Sequence, residues 1–323
     1  MEAKKAVITA AGRGVRLVPV ADTVQKSMLP LIDRDGLVKP VIQIIIEEAL
    51  DSGIEEVCIV CAPGDEARYR DQLSHLRDNL LAGFAGEEWA ADQAGRIDTI
   101  LRRLSFTVQE ESLGYGHAVY CAREFVGDAP FLLLLGDHLY LSHIEGRRCA
   151  QQLLELAARE HCAVAAVNPT REHLVGNYGT LAGKGVSGMP GVYVIEKIIE
   201  KPSVSLAESE LQTPGLRAGH YLCFFGMHVL PPTVFGHIEA ELARSGGTEA
   251  QLTPALQELS RRERYLAAEL HGERYDIGAR YGLLLAQIAL GMAGRDRDDM
   301  LTEIATLLAE SKRARTGDTG STA

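Results

Sequence analysis

The 323-residue sequence predicts an α/β fold: a doubly wound, mostly parallel central sheet, with a glycine-rich β region and C-terminal helices added to it. Three observations predict it. The run Ala6-Val7-Ile8-Thr9-Ala10 is apolar, β-branched and closes on a glycine loop, as a buried strand does. Phe131 to Leu135 is a continuous apolar stretch of strand length, which suits a parallel strand covered on both faces. Strand-like and helix-like segments then alternate as far as Val167, the pattern of a parallel sheet wound with helices.

The elements follow in order. After Pro30, Asp33-Arg34-Asp35-Gly36 reads as a turn, and Pro40 opens a helix over Val41–Leu50 that Ser52-Gly53 stops. Glu56–Cys61 is a second strand. Asp65 starts a helix with Tyr69, Leu73, Leu76 and Leu80 on one face. Gly83 to Gly95, which holds the single tryptophan, Trp89, reads as irregular. Ser105–Glu110 is a third strand, Gly114–Glu124 a helix, Arg148–Arg159 another helix, and Ala163–Val167 a strand. From Asn177 the texture turns glycine-rich and strand-dense, through Gly191–Ile199 and His220–Phe225. Helices return at Pro232–Arg244, Thr253–Arg261, Tyr281–Met292 and Met300–Glu310. The expected organisation is one domain over 1–310, with one part at about 1–170, a second at about 171–276 and helices at 277–310. The small, polar residues 311–323 are expected to form a disordered tail.

Composition excludes several classes. A net charge of −11 with no basic stripe argues against nucleic acid as a partner. No apolar run reaches the 18 or so residues of a membrane span, and Met1-Glu2-Ala3-Lys4-Lys5 enters a strand without a signal-peptide core. Six cysteines are scattered, and Cys58 and Cys61 lie three apart in one strand, facing opposite ways. They read as buried thiols rather than zinc ligands. A cytoplasmic protein is expected.

The loop after the first strand carries the strongest chemical signal. Gly12 and Gly14 leave backbone N–H groups open to a phosphate, and Arg13, Arg16 and Lys26 supply cations. It is no dinucleotide fingerprint, because Leu17 stands at the third glycine and Pro19 breaks the following helix. Nor is it a P-loop, since no Gly-Lys-Ser/Thr follows. A plain glycine turn with solvated arginines stays open on these residues alone. Elsewhere, Asp137 ends the central strand, where an α/β sheet places its ligands, and Asp276 follows the strand-like run Tyr265–Leu270 at an expected helix start. Both are also ordinary positions for capping aspartates.

Ala11-Gly12-Arg13-Gly14-Val15-Arg16-Leu17 with Lys26-Ser27-Met28-Leu29-Pro30 resembles the G-x-G-T/S-R…P-K-x-M/L-L-P signature of the sugar-1-phosphate nucleotidylyltransferases. Within them it is most similar to the bacterial UTP–glucose-1-phosphate uridylyltransferases. Val15 and Gln25 depart from the signature. The resemblance extends in order from about Lys4 to Met292. It covers Gln109 with Gly114-Tyr115-Gly116-His117-Ala118, Gly136-Asp137, Glu200-Lys201-Pro202, Thr248-Glu249-Ala250-Gln251-Leu252-Thr253, and Asp276-Ile277-Gly278. Related thymidylyltransferases usually carry glutamine at the position of His117.

The resemblance implies that UTP and glucose 1-phosphate become UDP-glucose and pyrophosphate without a covalent intermediate. It implies Mg2+ on Asp137 and Asp276, a nucleotide held by Ala11, Gly12, Gly14, Gln109 and Gly114, and phosphates handled by Arg16, Lys26 and Lys201. The sugar phosphate would meet Gly179, Glu200, Lys201 and Gly219, and a homo-oligomer, dimer or tetramer, would form. Use of dTTP or another sugar 1-phosphate, and a silent regulatory relative, are the alternatives. The five residues Arg16, Lys26, Asp137, Lys201 and Asp276 speak against silence.

Overall fold

A computed structural model describes residues 1–12 and 24–317, the stretch 311–317 in backbone alone. Gly14 and Arg16 therefore lie outside the described residues. The first half of the chain contains β1 (Lys5–Thr9), the short hairpin β2 (Pro30–Ile32) and β3 (Val38–Pro40), α1 (Val41–Leu50), β4 (Glu56–Cys61), α2 (Asp65–Gly83), α3 (Glu88–Arg103), β5 (Leu104–Val108), α4 (Tyr115–Cys121), α5 (Arg123–Val126) and β6 (Phe131–Leu135). Then come β7 (His138–Ser142), α6 (Cys149–Glu160), β8 (Ala163–Arg171), β9 (Gly179–Gly185), β10 (Val192–Glu200), α7 (Val204–Glu210) and β11 (His220–Leu230). The chain closes with α8 (Val234–Ser245), α9 (Thr253–Arg262), β12 (Tyr265–Glu269), β13 (Gly272–Asp276), α10 (Gly282–Met292) and α11 (Arg297–Gly317).

Nine strands form one sheet in the order β5-β4-β1-β6-β11-β8-β12-β10-β9. Alternating residues of the central strands feed two separate cores, which is why the fold is doubly wound. Leu132 and Leu134 of β6 join the core under α1 and α6, whereas Phe131 and Leu133 join the one under α4, α8 and α9. The parallel character belongs to β5-β4-β1-β6 and recurs at β8–β12. Beyond β6 the sheet is mixed, with β11 antiparallel to both β6 and β8. β9 and β10 are joined by a short turn rather than a crossover helix, and such a connection permits only antiparallel pairing.

Three local expectations change. The stretch Gly83–Gly95 is mostly helical, with only a turn between α2 and α3. Its buried face is built from Ala90, Ala94, Ile97 and Ile100, a helical stripe in which small alanines hide the apolar period, and Phe84 packs on Trp89 at the turn. Asp276 ends a strand, β13, instead of starting a helix. The expected tail 311–323 begins as helix, because α11 runs on to Gly317. Among the described residues no helix is long and apolar enough to cross a membrane.

Candidate active site

The carboxyl ends of four parallel strands open onto one cleft of about 610 Å³. Its wall is supplied by Thr9–Gly12 after β1, Ala62 and Pro63 after β4, Gln109 and Glu110 after β5, and Gly136 and Asp137 after β6. A parallel sheet leaves its ligand crevice at these ends, where the loops leave in different directions. Gly136 has to be glycine here: its N–H donates to the Thr9 carbonyl, and a Cβ would stand 2.8 Å from both that oxygen and the Ala10 methyl.

Asp137 is the electrostatic centre of the cleft. The Lys26 ammonium lies 2.5 Å from its Oδ2, and His138 Nδ1 lies 2.8 Å from its Oδ1. Burial disfavours the charge, but the hydrogen bond and charge of His138 and the Lys26 ammonium outweigh it, holding the carboxyl well below the usual carboxylate range. Lys26 sits in a 3-10 turn, Lys26–Met28, whose Ser27 hydroxyl meets the Tyr69 phenol of α2 at 2.5 Å.

Asp276 reaches the same place through pairing that is remote in sequence. β7 and β13 form a two-stranded antiparallel ribbon with Asp276 opposite His138. Ligand atoms of Asp137, His138 and Asp276 thereby lie within 4.8 Å of one another. Two hard carboxylates at this spacing, one kept ionised, suit a divalent cation of the Mg2+ or Mn2+ kind. The ribbon rests on a bulge of β11. Tyr140 donates to the Gly226 carbonyl at 2.8 Å, within the register shift between Phe224 and His228, and Arg274 donates to the Phe224 carbonyl at 2.7 Å, where that shift begins. Gly226 adopts φ +85°, and its open side faces the His138 ring.

Gln109 and Gly114 meet at the opposite wall. The Gln109 amide nitrogen donates to the Gly114 carbonyl at 3.1 Å, and that carbonyl can only accept, so the amide has one orientation. His117 Nδ1 stands 3.1 Å from the same nitrogen and 3.0 Å from the Glu111 carbonyl. Gly114, at φ +93°, lies so close to Glu249 and Ala250 that no side chain fits. Gly116 and Ala250 complete this junction with backbone hydrogen bonds.

A second group gathers at the ends of β9 and β10. Glu200 pairs with Gly179 across the two strands and accepts the Thr253 hydroxyl at 2.5 Å. Lys201 follows with a left-handed backbone, φ +44°, and an ammonium 3.9 Å from Glu200 Oε1. Its N–H donates to the Tyr178 carbonyl. The Tyr115 side chain lines the cleft, and burial, with the charges of Asp137 and Glu200, pushes its phenol up. Gly219 is not in this group. It stands five residues before Phe224, whose ring packs on Gly179, roughly 17 Å along an extended strand, and it caps a turn by accepting the Glu172 N–H. The glycine of β11 that approaches the Asp137 cluster is Gly226. The sequence also passed over His138 and Arg274, and it named Thr253 only at the end of a motif, without its bond to Glu200. A histidine directly after Gly-Asp was a visible signal for the first, but the others depend on pairing alone.

A fold of this kind with this cleft defines a nucleotide-transferring enzyme, and residues 5–290 match the family model described as nucleotidyl transferase, so the chain belongs to that family. Within it, the chain is 34% identical to the UTP–glucose-1-phosphate uridylyltransferase YngB of Bacillus subtilis, over 90% of each chain. It is 35% identical to the UTP–glucose-1-phosphate uridylyltransferase of Streptococcus pneumoniae, over 88% of this chain and 89% of that one. Among solved structures it resembles a UTP-bound UGPase from Acinetobacter baumannii, with a TM-score of 0.73, 26% identity and coverage of 95% and 99%. It also resembles a UDP-glucose pyrophosphorylase complexed with UDP-glucose, with a TM-score of 0.71, 27% identity and coverage of 89% and 98%.

Proposed function

We propose that the protein transfers uridylyl from UTP to glucose 1-phosphate, giving UDP-glucose and pyrophosphate. The observation that carries this reading is one cleft lined by Gln109 and the Lys26–Asp137 pair, with Asp276 gathered beside Asp137. Relatives at 34–35% identity that bear this activity in their names support the same substrates.

Each group has a task that its position supports. The Gln109 nitrogen is spent on Gly114, so its oxygen is left to accept the N3–H of uracil. Cytosine presents an N3 acceptor there, and two facing acceptors in a dry site cost about 1–3 kcal/mol. Lys201 holds the phosphate of the sugar phosphate, and Glu200, fixed by Thr253, accepts from sugar hydroxyls. An oxygen of that phosphate attacks the α-phosphorus of UTP in line, and the pyrophosphate leaves. The nucleophile is already anionic, so no general base is required. Lys26, together with Arg16, stabilises the charge gathering on pyrophosphate. Asp137 and Asp276 hold a divalent cation, which we assign as Mg2+; when bound, it neutralises and orients the α-phosphate.

A pyrophosphate-release assay over four NTPs and a panel of sugar 1-phosphates tests the proposal. UTP with glucose 1-phosphate should turn over fastest. dTTP should be the best of the poor nucleotides, because an added methyl is weakly rejected. Equal turnover with ATP or GTP at saturating glucose 1-phosphate would sink the reading. The same proposal includes a cytoplasmic location, supported by six free cysteines, and self-association as a dimer or tetramer. Exposed apolar side chains at Val38, Tyr281, Leu284, Leu285, Leu307 and Leu308 support the second. Cell fractionation and light scattering check the two, and a monomer at micromolar concentration would remove the oligomer.

A further inference from the structure

We propose that Arg274 is a positioning residue that couples the Asp137–Asp276 cation site to the loop holding the sugar phosphate. The inference rests on the uridylyl-transfer reading. It starts from the position of one guanidinium between three elements. Arg274 belongs to β13, two residues before Asp276 and opposite Tyr140 in the ribbon. One arm of its fork donates to the Phe224 carbonyl at 2.7 Å, at the β11 bulge. Its guanidinium carbon lies over the Tyr178 ring, 4.1 Å from the centre. A planar cation that stacks and donates at once is a role lysine cannot fill, because an ammonium has neither the plane nor the fork.

Tyr178 passes this contact to the sugar side through its backbone. Its carbonyl accepts the Lys201 N–H at 3.1 Å and the Thr180 hydroxyl at 3.1 Å. Lys201 is held at φ +44°, a conformation that strains a non-glycine residue and persists only where neighbours impose it. Phe224, whose carbonyl Arg274 takes, also packs its ring on Gly179, the strand partner of Glu200. A shift of β13 is thus transmitted to Tyr178 and Phe224, the two residues against which the sugar-phosphate loop is built. Filling the cation site fixes Asp276 and with it Arg274, so each ligand favours the arrangement the other needs.

The test uses the full chain with Arg274→Met, Arg274→Lys, Tyr178→Leu and the double variant Arg274→Met/Tyr178→Leu. The apparent KM for glucose 1-phosphate should rise about tenfold in Arg274→Met and less in Arg274→Lys, while the KM for UTP changes less than about twofold. The double variant should be no worse than the weaker single one, since both cut the same link. UDP-glucose binding, titrated calorimetrically with and without MgCl2, gives a readout apart from turnover. Mg2+ should strengthen it in the unaltered chain, and that strengthening should fall to less than about twofold in Arg274→Met. Equal rises in both KM values with a lowered Tm would assign Arg274 to stability alone and overturn the inference. Additive effects in the double variant, or full Mg2+ strengthening in Arg274→Met, would overturn it as well. Should Arg274→Met fail to fold, the lysine and Tyr178→Leu arms decide the matter by the same criteria. No Mg2+-dependent UDP-glucose binding in the unaltered chain would remove the underlying reading and this inference with it, whereas normal binding there with unchanged variants removes the inference alone.

Discussion

Under the proposed uridylyl transfer, two lysines do different work because their neighbours differ. Lys26 is mostly buried, with its ammonium on Asp137, whereas the Lys201 side chain is 59% exposed, with its ammonium 3.9 Å from Glu200. Lys26→Ala should therefore lower kcat most, as charge on the departing pyrophosphate loses its partner. Lys201→Ala should raise the KM for glucose 1-phosphate most, by about ten- to a hundredfold, with a much smaller change in the KM for UTP. Steady-state kinetics of the two variants with each substrate varied in turn checks this. A rise confined to the KM for UTP in Lys201→Ala would reverse the assignment.

At the scale of elements, the ribbon of β7 and β13 is what brings two carboxylates distant in sequence together. It needs the β11 bulge as its seat, and the bulge needs Gly226. A Cβ at that position would stand 2.7 Å from the Leu135 side chain and 3.4 Å from His138, on a backbone at φ +85°. Gly226→Ala should cost about 1–3 kcal/mol of stability and also lower kcat, because the ribbon must move. Asp276→Asn is the matched control: its Tm should stay near that of the unaltered chain while kcat falls about a thousandfold, or about 4 kcal/mol. Thermal melts run beside the activity assay separate the two. A Gly226→Ala protein with normal turnover would show that the ribbon does not depend on its seat.

For the whole molecule, one buried histidine sets an acid limit. His228 lies in the sheet between β6 and β8, its Nδ1 2.8 Å from the Tyr265 hydroxyl. Burial lowers its pKa from 6.5 to about 3, so the folded chain keeps it neutral. The unfolded chain binds a proton there below pH 6.5 that the folded chain refuses. The stability His228 contributes is therefore fully present above pH 6.5 and is lost progressively down to about pH 3, amounting to about 2 kcal/mol by pH 5. In His228→Gln the fall in Tm between pH 6.5 and pH 4 should be shallower, as differential scanning calorimetry would record. An unchanged acid limb would assign the loss to other groups.

Local signals were enough for the elements that stand on one segment of chain. β4 and α1 have the residues their apolar patterns indicate, and β6 is the central strand its unbroken apolar run demands. The opening strand, the Gly-Asp at a strand end and the Glu-Lys-Pro at the end of β10 were legible in place for the same reason: each lies within a few residues. The pairing of segments far apart was not legible, because side-chain period records which face is buried and not which strand lies alongside. That is why Asp276 looked like a helix start until β7 paired with β13, and why the approach of Gly226 to the Asp137 cluster went unread. The Gln109 amide is the same case in miniature: its residue type permits either orientation, and the Gly114 carbonyl, brought up at φ +93° against Ala250, decides which atom it donates through. The sequence by itself determined the parallel half-sheet, the loops at its carboxyl ends and the residue types of the cleft. Tertiary structure alone decided which of those residues meet, since the contacts of Asp137 with Asp276, of Glu200 with Thr253 and of Arg274 with Tyr178 all close loops too long for any local pattern to encode.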